Sequence, residues 1–278
     1  MRKIWKKFGT TEKISVILLA VIVVVSILAP ILAPYDPNKT DMSVKLSAFC
    51  AVHPLGTDHL GRDLLSRLMY GGRTSILLAV IATMLSMLVG LILGVASGYA
   101  GGWVDQIFLI FTSMFQGLPG TCVMIALVGI FGASVQSLIA ALVFISWADF
   151  SRIVRLEMMQ VKGKTYAVCA KNYGMGHIGL ILRHLLPNMA DNLIVLFTNR
   201  VSQAILSVAS LSFLGLGVQP PTPDWGVMVN DARSYFYNNL HLLILPCLCI
   251  FAVSWSISTI GEGLRHYIGS KRDSVKEI

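Results

Sequence analysis

Residues 106–148 contain no charged side chain. At about 1.5 Å of rise per helical residue, a run of that length crosses a ~30 Å hydrocarbon layer twice. Runs 14–35, 74–104 and 234–261 are equally free of charge, and 193–215 carries Arg200 as its one charged residue. A backbone surrounded by lipid must satisfy its N–H and C=O groups within its own segment, which restricts each run to a helix. The longest run must also turn back on itself, and 129–133, with Gly129 and Gly132, is its natural reversal. Six transmembrane helices result, in an all-α polytopic membrane protein. Charged residues are 13% of the chain, about half the share of a soluble domain, so little sequence remains for an aqueous unit.

Lys and Arg set the expected orientation. With the N-terminus inside, fifteen fall on inner segments: five within 1–13, six within 152–183 and four within 265–276. Six fall outside, Lys39, Lys45, Arg62, Arg67, Arg73 and Arg233. Both termini are therefore expected in the cytoplasm. The net charge of +8 is accounted for by basic flanks against anionic lipid and requires no nucleic-acid partner. The first apolar run is longer than the core of a secretory signal and lacks a small-residue cleavage site, so it reads as an uncut anchor. Cys122, Cys247 and Cys249 lie in or beside spans and Cys169 on the inner side, which does not make a disulfide framework.

Within the spans, Gly90, Gly94 and Gly98 form a small-residue stripe that lets two helices approach closely. Gly117, Pro119 and Gly120 are expected to bend the third span. Asn199, Gln203, Ser207 and Ser210 recur at three- or four-residue spacing and share a face near Arg200. An ionisable group at that depth faces a bundle interior or a wet cavity, so Asn199, Arg200, Gln203 and Ser207 are the candidate translocation path. A purely interhelical hydrogen-bond stripe is the alternative. An intramembrane enzyme would need facing clusters of His, Asp or Glu, and a channel or secondary transporter commonly shows inverted repeats; neither is visible. No catalytic set is assigned. Cys50, His53 and His59 share an outer segment but make no convincing chelate, so no metal site is assigned. Gly163-Lys164-Thr165 imitates the end of a phosphate-binding loop, yet Met158 stands where its earlier Gly is required.

Four segments carry a family resemblance. His53 to Leu68 contains Gly56-Thr57-Asp58, Gly61-Arg62-Asp63 and Ser66-Arg67, and resembles the G-T-D-x-x-G-R-D-x-x-S-R outer segment of dipeptide, oligopeptide and nickel ABC importer permeases. Ser212 to Gly217 (S-F-L-G-L-G) with Pro220, Pro221, Trp225, Gly226 and Met228 resembles a second motif of that family, and Gly261-Glu262-Gly263-Leu264-Arg265 its closing G-D-G-L-R. Between them, Gly174 is followed by nine residues and then His184-Leu185-Leu186-Pro187, similar to the family's cytoplasmic docking loop, with Val168-Cys169-Ala170 in the place of its E-A-A and His184 in that of an Ile. The charged residues of the first motif could equally form a solvated network.

The resemblance implies a type I ABC importer permease fold. Residues 1–13 would be a cytoplasmic N-terminus, 14–34 the first transmembrane helix and 35–73 an extracytoplasmic loop with helical character at 64–70. The core permease domain would be 74–262, with a coupling loop at about 160–188, followed by a cytoplasmic tail at 263–278. Tyr166, Ala167, Cys169, Ala170, Gly174, Gly176, His184 and Pro187 would seat an ATPase. The implied partners are a second homologous permease, two cytoplasmic ATPases that use ATP and Mg, an outer binding protein and the lipid of a bacterial inner membrane; this chain would hold no cofactor. Val208-Ala209, in a place where peptide permeases often carry E-A, and Asn230-Asp231-Ala232-Arg233 resemble the nickel-type branch, so a nickel species is the expected cargo, with a di- or oligopeptide as the alternative.

Overall fold

The computed structural model describes residues 5, 8–235 and 237–276, with side chains to residue 269. The side chains of Arg2, Lys3, Lys6, Lys7, Lys271, Arg272 and Lys276, counted above for orientation, lie outside the described residues. Nine helices of eight residues or more organise the described chain: α1 (Thr10–Ile27), α2 (Leu64–Ala100), α3 (Gly102–Gln116), α4 (Gly120–Phe131), α5 (Val135–Lys162), α6 (Thr165–Asn172), α7 (His177–Phe213), α8 (Trp225–Ala232) and α9 (His241–Lys276). No strand occurs among the described residues.

Five helices are each long and apolar enough to cross a membrane, and α3 with α4, bent by 82° at their junction, is a sixth where the pair counts as one span. The bend falls at Gly117, Leu118 and Pro119, because Pro119 cannot donate a hydrogen bond and crowds the preceding turn. Gly132, at φ +84°, then reverses the chain into α5. The helical character expected at 64–70 is the start of a long helix: α2 begins at Leu64 and runs unbroken for 37 residues, about 55 Å. Arg152 and Arg155 likewise belong to α5 and not to a loop.

The glycine stripe of α2 lies against α5. A Cβ at Gly90 would meet Phe150 Cβ at 2.5 Å, and one at Gly98 would meet the Arg155 carbonyl oxygen at 2.7 Å. A Cβ at Gly94 would collide with the Ser151 carbonyl oxygen and lie 2.8 Å from Val154 Cβ. Backbone blocks any relief there. Gly94→Leu is therefore expected to cost about 3 kcal/mol or more and to cut the yield of monodisperse protein severalfold by size exclusion. An undiminished yield would show that α2 and α5 do not pack at this register.

Two buried clusters flank this contact. One, with Leu78, Leu142, Ile205, Leu211 and Trp225, fills the middle of the bundle and the end that carries α8. The other, with Val154, Met158, Leu185 and Met189, lies towards the end that carries α6. Ser202 on α7 and Ser254 on α9 bridge their helices through hydroxyls 2.8 Å apart. α1 lies along α9, where a Cβ on Gly263 would come within 2.9 Å of Glu12 Cγ. Most of α1 stays exposed, as a lipid-facing helix should.

Candidate functional site

The outer motif folds into a buried charged cap, not the solvated network that was the alternative. Asp58, Arg62, Asp63 and Arg67 are all at most 6% exposed. Arg62 Nε donates to Asp58 Oδ2 at 2.6 Å and its Nη2 to Asp231 Oδ2 at 3.2 Å, while Arg67 Nε lies 3.5 Å from Asp58. The backbone N–H groups of Leu60 and Arg62 donate to Asp58 Oδ1. Asp63 caps α2 by accepting from Ser66 N at 2.8 Å, and its other oxygen faces His53 Nδ1 at 2.9 Å. The second motif plugs α8 into the same region. Trp225, 1% exposed, donates its indole N–H to the Leu68 carbonyl at 3.0 Å. Asp224 caps α8 through Gly226 N and Val227 N and accepts from Ser75 Oγ at 2.7 Å. Burial holds its carboxyl above the usual carboxylate range, against the lowering effect of those hydrogen bonds.

At the opposite end, α6 closes in a Schellman turn: Gly174, at φ +82°, donates to the Lys171 carbonyl and Met175 to that of Ala170. Ala167 is buried and Ala170, partly buried, packs against the adjoining core of this chain. The outward surface is Val168, Cys169, Asn172 and Tyr173, the last 92% exposed. Tyr166 is half-buried, its hydroxyl lacks a hydrogen-bond partner, and burial raises its phenol. Gly176 ends the turn and is open to solvent. Pro187 does not open a new helix. It lies inside the continuous α7, where a π-helical turn at Ile181–Leu185 that includes His184 absorbs the interruption.

Between the two ends, the candidate path residues separate. Arg200, Gln203 and Ser207 of α7 line a cavity of about 160 Å³ with Thr83 and Ser86 of α2 and Ser146 of α5. Asn199 points elsewhere, its Oδ1 lying 2.6 Å from where a Cβ on Gly261 of α9 would sit. Ser210 is exposed and bonds only to its own helix, at the Leu206 carbonyl. Arg200 Nη1 donates to Asp149 Oδ2 at 3.0 Å and to Gln203 Oε1 at 3.1 Å, and the guanidinium lies 5.7 Å from the centre of the Phe150 ring. Asp149 accepts a second bond, 2.7 Å, from Gln116 Nε2, whose Oε1 takes one from Arg152. Asp149 and Gln116 were missed in the sequence. Asp149 is the first residue after the uncharged 106–148, and nothing in its spacing shows that it meets Arg200 across two helices.

Comparison with known proteins decides the family. The family model described as binding-protein-dependent transport system inner membrane component matches residues 86–273. This chain belongs to that family. A second model, the N-terminal TM domain of oligopeptide transport permease C, matches residues 13–48 of the permease. The glutathione transport system permease protein GsiD of Shigella flexneri serotype 5b is 38% identical over 96% of the permease and 89% of its own length. The protein of that name from Escherichia coli O6:K15:H31 is 36% identical over the same shares. The crystal structure of an amino acid ABC transporter with histidines covers 68% of the permease and 90% of its own chain, with a TM-score of 0.50 at 15% identity, a likeness of fold. The permease is a multi-pass inner-membrane subunit of an ABC importer of the peptide and oligopeptide family and not an enzyme; ATP hydrolysis belongs to partner subunits.

The expected nickel cargo loses its footing. Val208 is fully buried in the core, and Asp231 is an ion-pair partner of Arg62 in the outer cap. Both residues are structural, and the relatives are named for glutathione transport, not nickel.

Proposed function

We propose that this permease forms half of an import pathway for short peptides, with a glutathione-sized cargo as the leading case. The supporting observation is the cavity at Arg200, lined from four helices by six polar and six apolar residues. The nearby break at Gly117–Pro119 leaves exposed non-helical backbone at membrane depth, an arrangement tolerated where protein or a water-filled pathway covers it. A second, homologous permease supplies the other wall. Two cytoplasmic ATPases seat on the surface around α6 and the turn to α7, and an outer binding protein delivers the cargo over the cap. Both termini are cytoplasmic in this reading, so α6 faces the ATPases. In the reconstituted complex with its binding protein, alanyl-alanine or glutathione is expected to stimulate ATP hydrolysis severalfold, with nickel salts inert. Stimulation by nickel or its chelates alone would overturn the peptide assignment.

A further inference from the structure

Two opposite charges face each other deep within the spans. Asp149 lies about 14 residues, roughly 21 Å, from the outer end of α5, and Arg200 about 13 residues, roughly 20 Å, from the outer end of α7. Such groups are costly in lipid and are kept where they serve a pathway or a pairing. A purely structural pair would be sealed inside the bundle, yet the side chains of Arg200 and Asp149 retain 23% and 41% exposure respectively, and Arg200 lines the cavity. Each already has a further contact: Gln203 on Arg200, and Gln116, next to the break in the third span, on Asp149.

We propose that the Arg200–Asp149 pair is the receptor for the two charged ends of a peptide. The inference rests on the peptide pathway proposed above and assigns its recognition chemistry. When the site is empty the two side chains neutralise one another. A free peptide is itself a zwitterion, so its carboxylate can take the place of Asp149 on the guanidinium while its ammonium takes the place of Arg200 on the carboxylate. With a neutral zwitterionic peptide such as alanyl-alanine, the exchange adds no net charge to the pair. Arg200 offers a planar fork suited to a carboxylate, and Ser207 and Gln203 supply further polar contacts along the same wall. The cavity, about 160 Å³, holds the volume of roughly five waters, enough for the end of a peptide, with the remainder lying towards the partner permease. The bond from Gln116 ties Asp149 to the elbow of the third span, so opening the pair releases one contact on that elbow.

The test uses the complex of permeases and ATPases without binding protein, with this chain's native cysteines replaced and Ser207→Cys introduced. A small aqueous thiol reagent reads access to the cavity, and peptide protection reads occupancy. Alanyl-alanine and S-methylglutathione, which has no thiol to consume the reagent, are expected to slow modification at least tenfold at saturation. The C-terminal amide and the N-acetyl form of alanyl-alanine should each need about tenfold higher concentration, the loss of one charge-assisted contact. Arg200→Gln should erase the difference between acid and amide, and Asp149→Asn that between free and acetylated amine. If a single variant fails to assemble, the double variant Arg200→Gln with Asp149→Asn keeps the site neutral and should assemble, react and lose both distinctions. A thiol that is unreactive with and without ATP defeats the pathway reading and this inference together. A reactive thiol that peptides fail to protect, or that acid and amide protect equally, defeats the inference alone.

Discussion

Gly174→Val is expected to strip the ATPase from the complex and lower transport at least tenfold, while the permease itself still folds. Gly174 holds φ +82°, a region in which a β-branched residue is an outlier. The strain, about 1–2 kcal/mol, falls on an exposed turn, and a Cβ there has nothing within 4 Å. No internal clash can therefore account for a large effect. What changes is the Schellman turn that sets α6 against the start of α7, and with it the placing of Cys169, Asn172 and Tyr173. Gly174→Asn, which tolerates the left-handed conformation, should retain the ATPase and near-normal transport. The measurement is co-purification of the ATPase with detergent-solubilised permease, followed by uptake in vesicles. Normal retention and uptake by the valine variant would mean that the coupling element lies elsewhere.

Asp58→Ala is expected to destabilise the permease by about 3–5 kcal/mol, the cost of leaving buried cations without their partner. Asp58 accepts from Arg62 Nε and from two backbone N–H groups and lies near Arg67, so its loss leaves the two N–H groups without that acceptor and the two guanidiniums with only Asp231 and the Pro37 carbonyl, in a cap with almost no solvent. The outer end of α2 should loosen first, because Asp63, Ser66 and Arg67 hold its first turn and Arg67 Nη1 ties it to the Pro37 carbonyl. Thermal unfolding in detergent, followed by tryptophan fluorescence, reads the loss, since Trp225 is packed over α2 at Leu68. Asp58→Asn should lose less, because its carbonyl oxygen can still accept from the Leu60 and Arg62 N–H groups. An unchanged midpoint for Asp58→Ala would return the motif to a solvated charge network.

Much of the architecture was legible in the chain. Hydrophobic runs longer than the bilayer core can satisfy their backbone only as helices, so the all-α class and the broken third span at Gly117 and Pro119 followed from local chemistry. The stripe Gly90, Gly94 and Gly98 announced a close helix contact, and Gly174 announced a positive-φ turn, because each is a property of a residue and its near neighbours. That the helix beginning at Leu64 continues into the second span was not legible, since its packing under Trp225 comes from folded contacts. Nor was the burial of the Asp58 and Arg62 motif, whose partner Asp231 is 169 positions away. The same limit separated Asn199 from Gln203: a three- or four-residue rhythm defines one side of a helix, but only the neighbours decide which part of that side meets α9 and which lines the cavity. The sequence by itself determined helices, break points and family, because these rest on local propensity, run length and ordered motifs. The tertiary structure alone decided which charges face one another, because Arg200 and Asp149, 51 residues apart in the chain, meet only where two helices lie side by side in space.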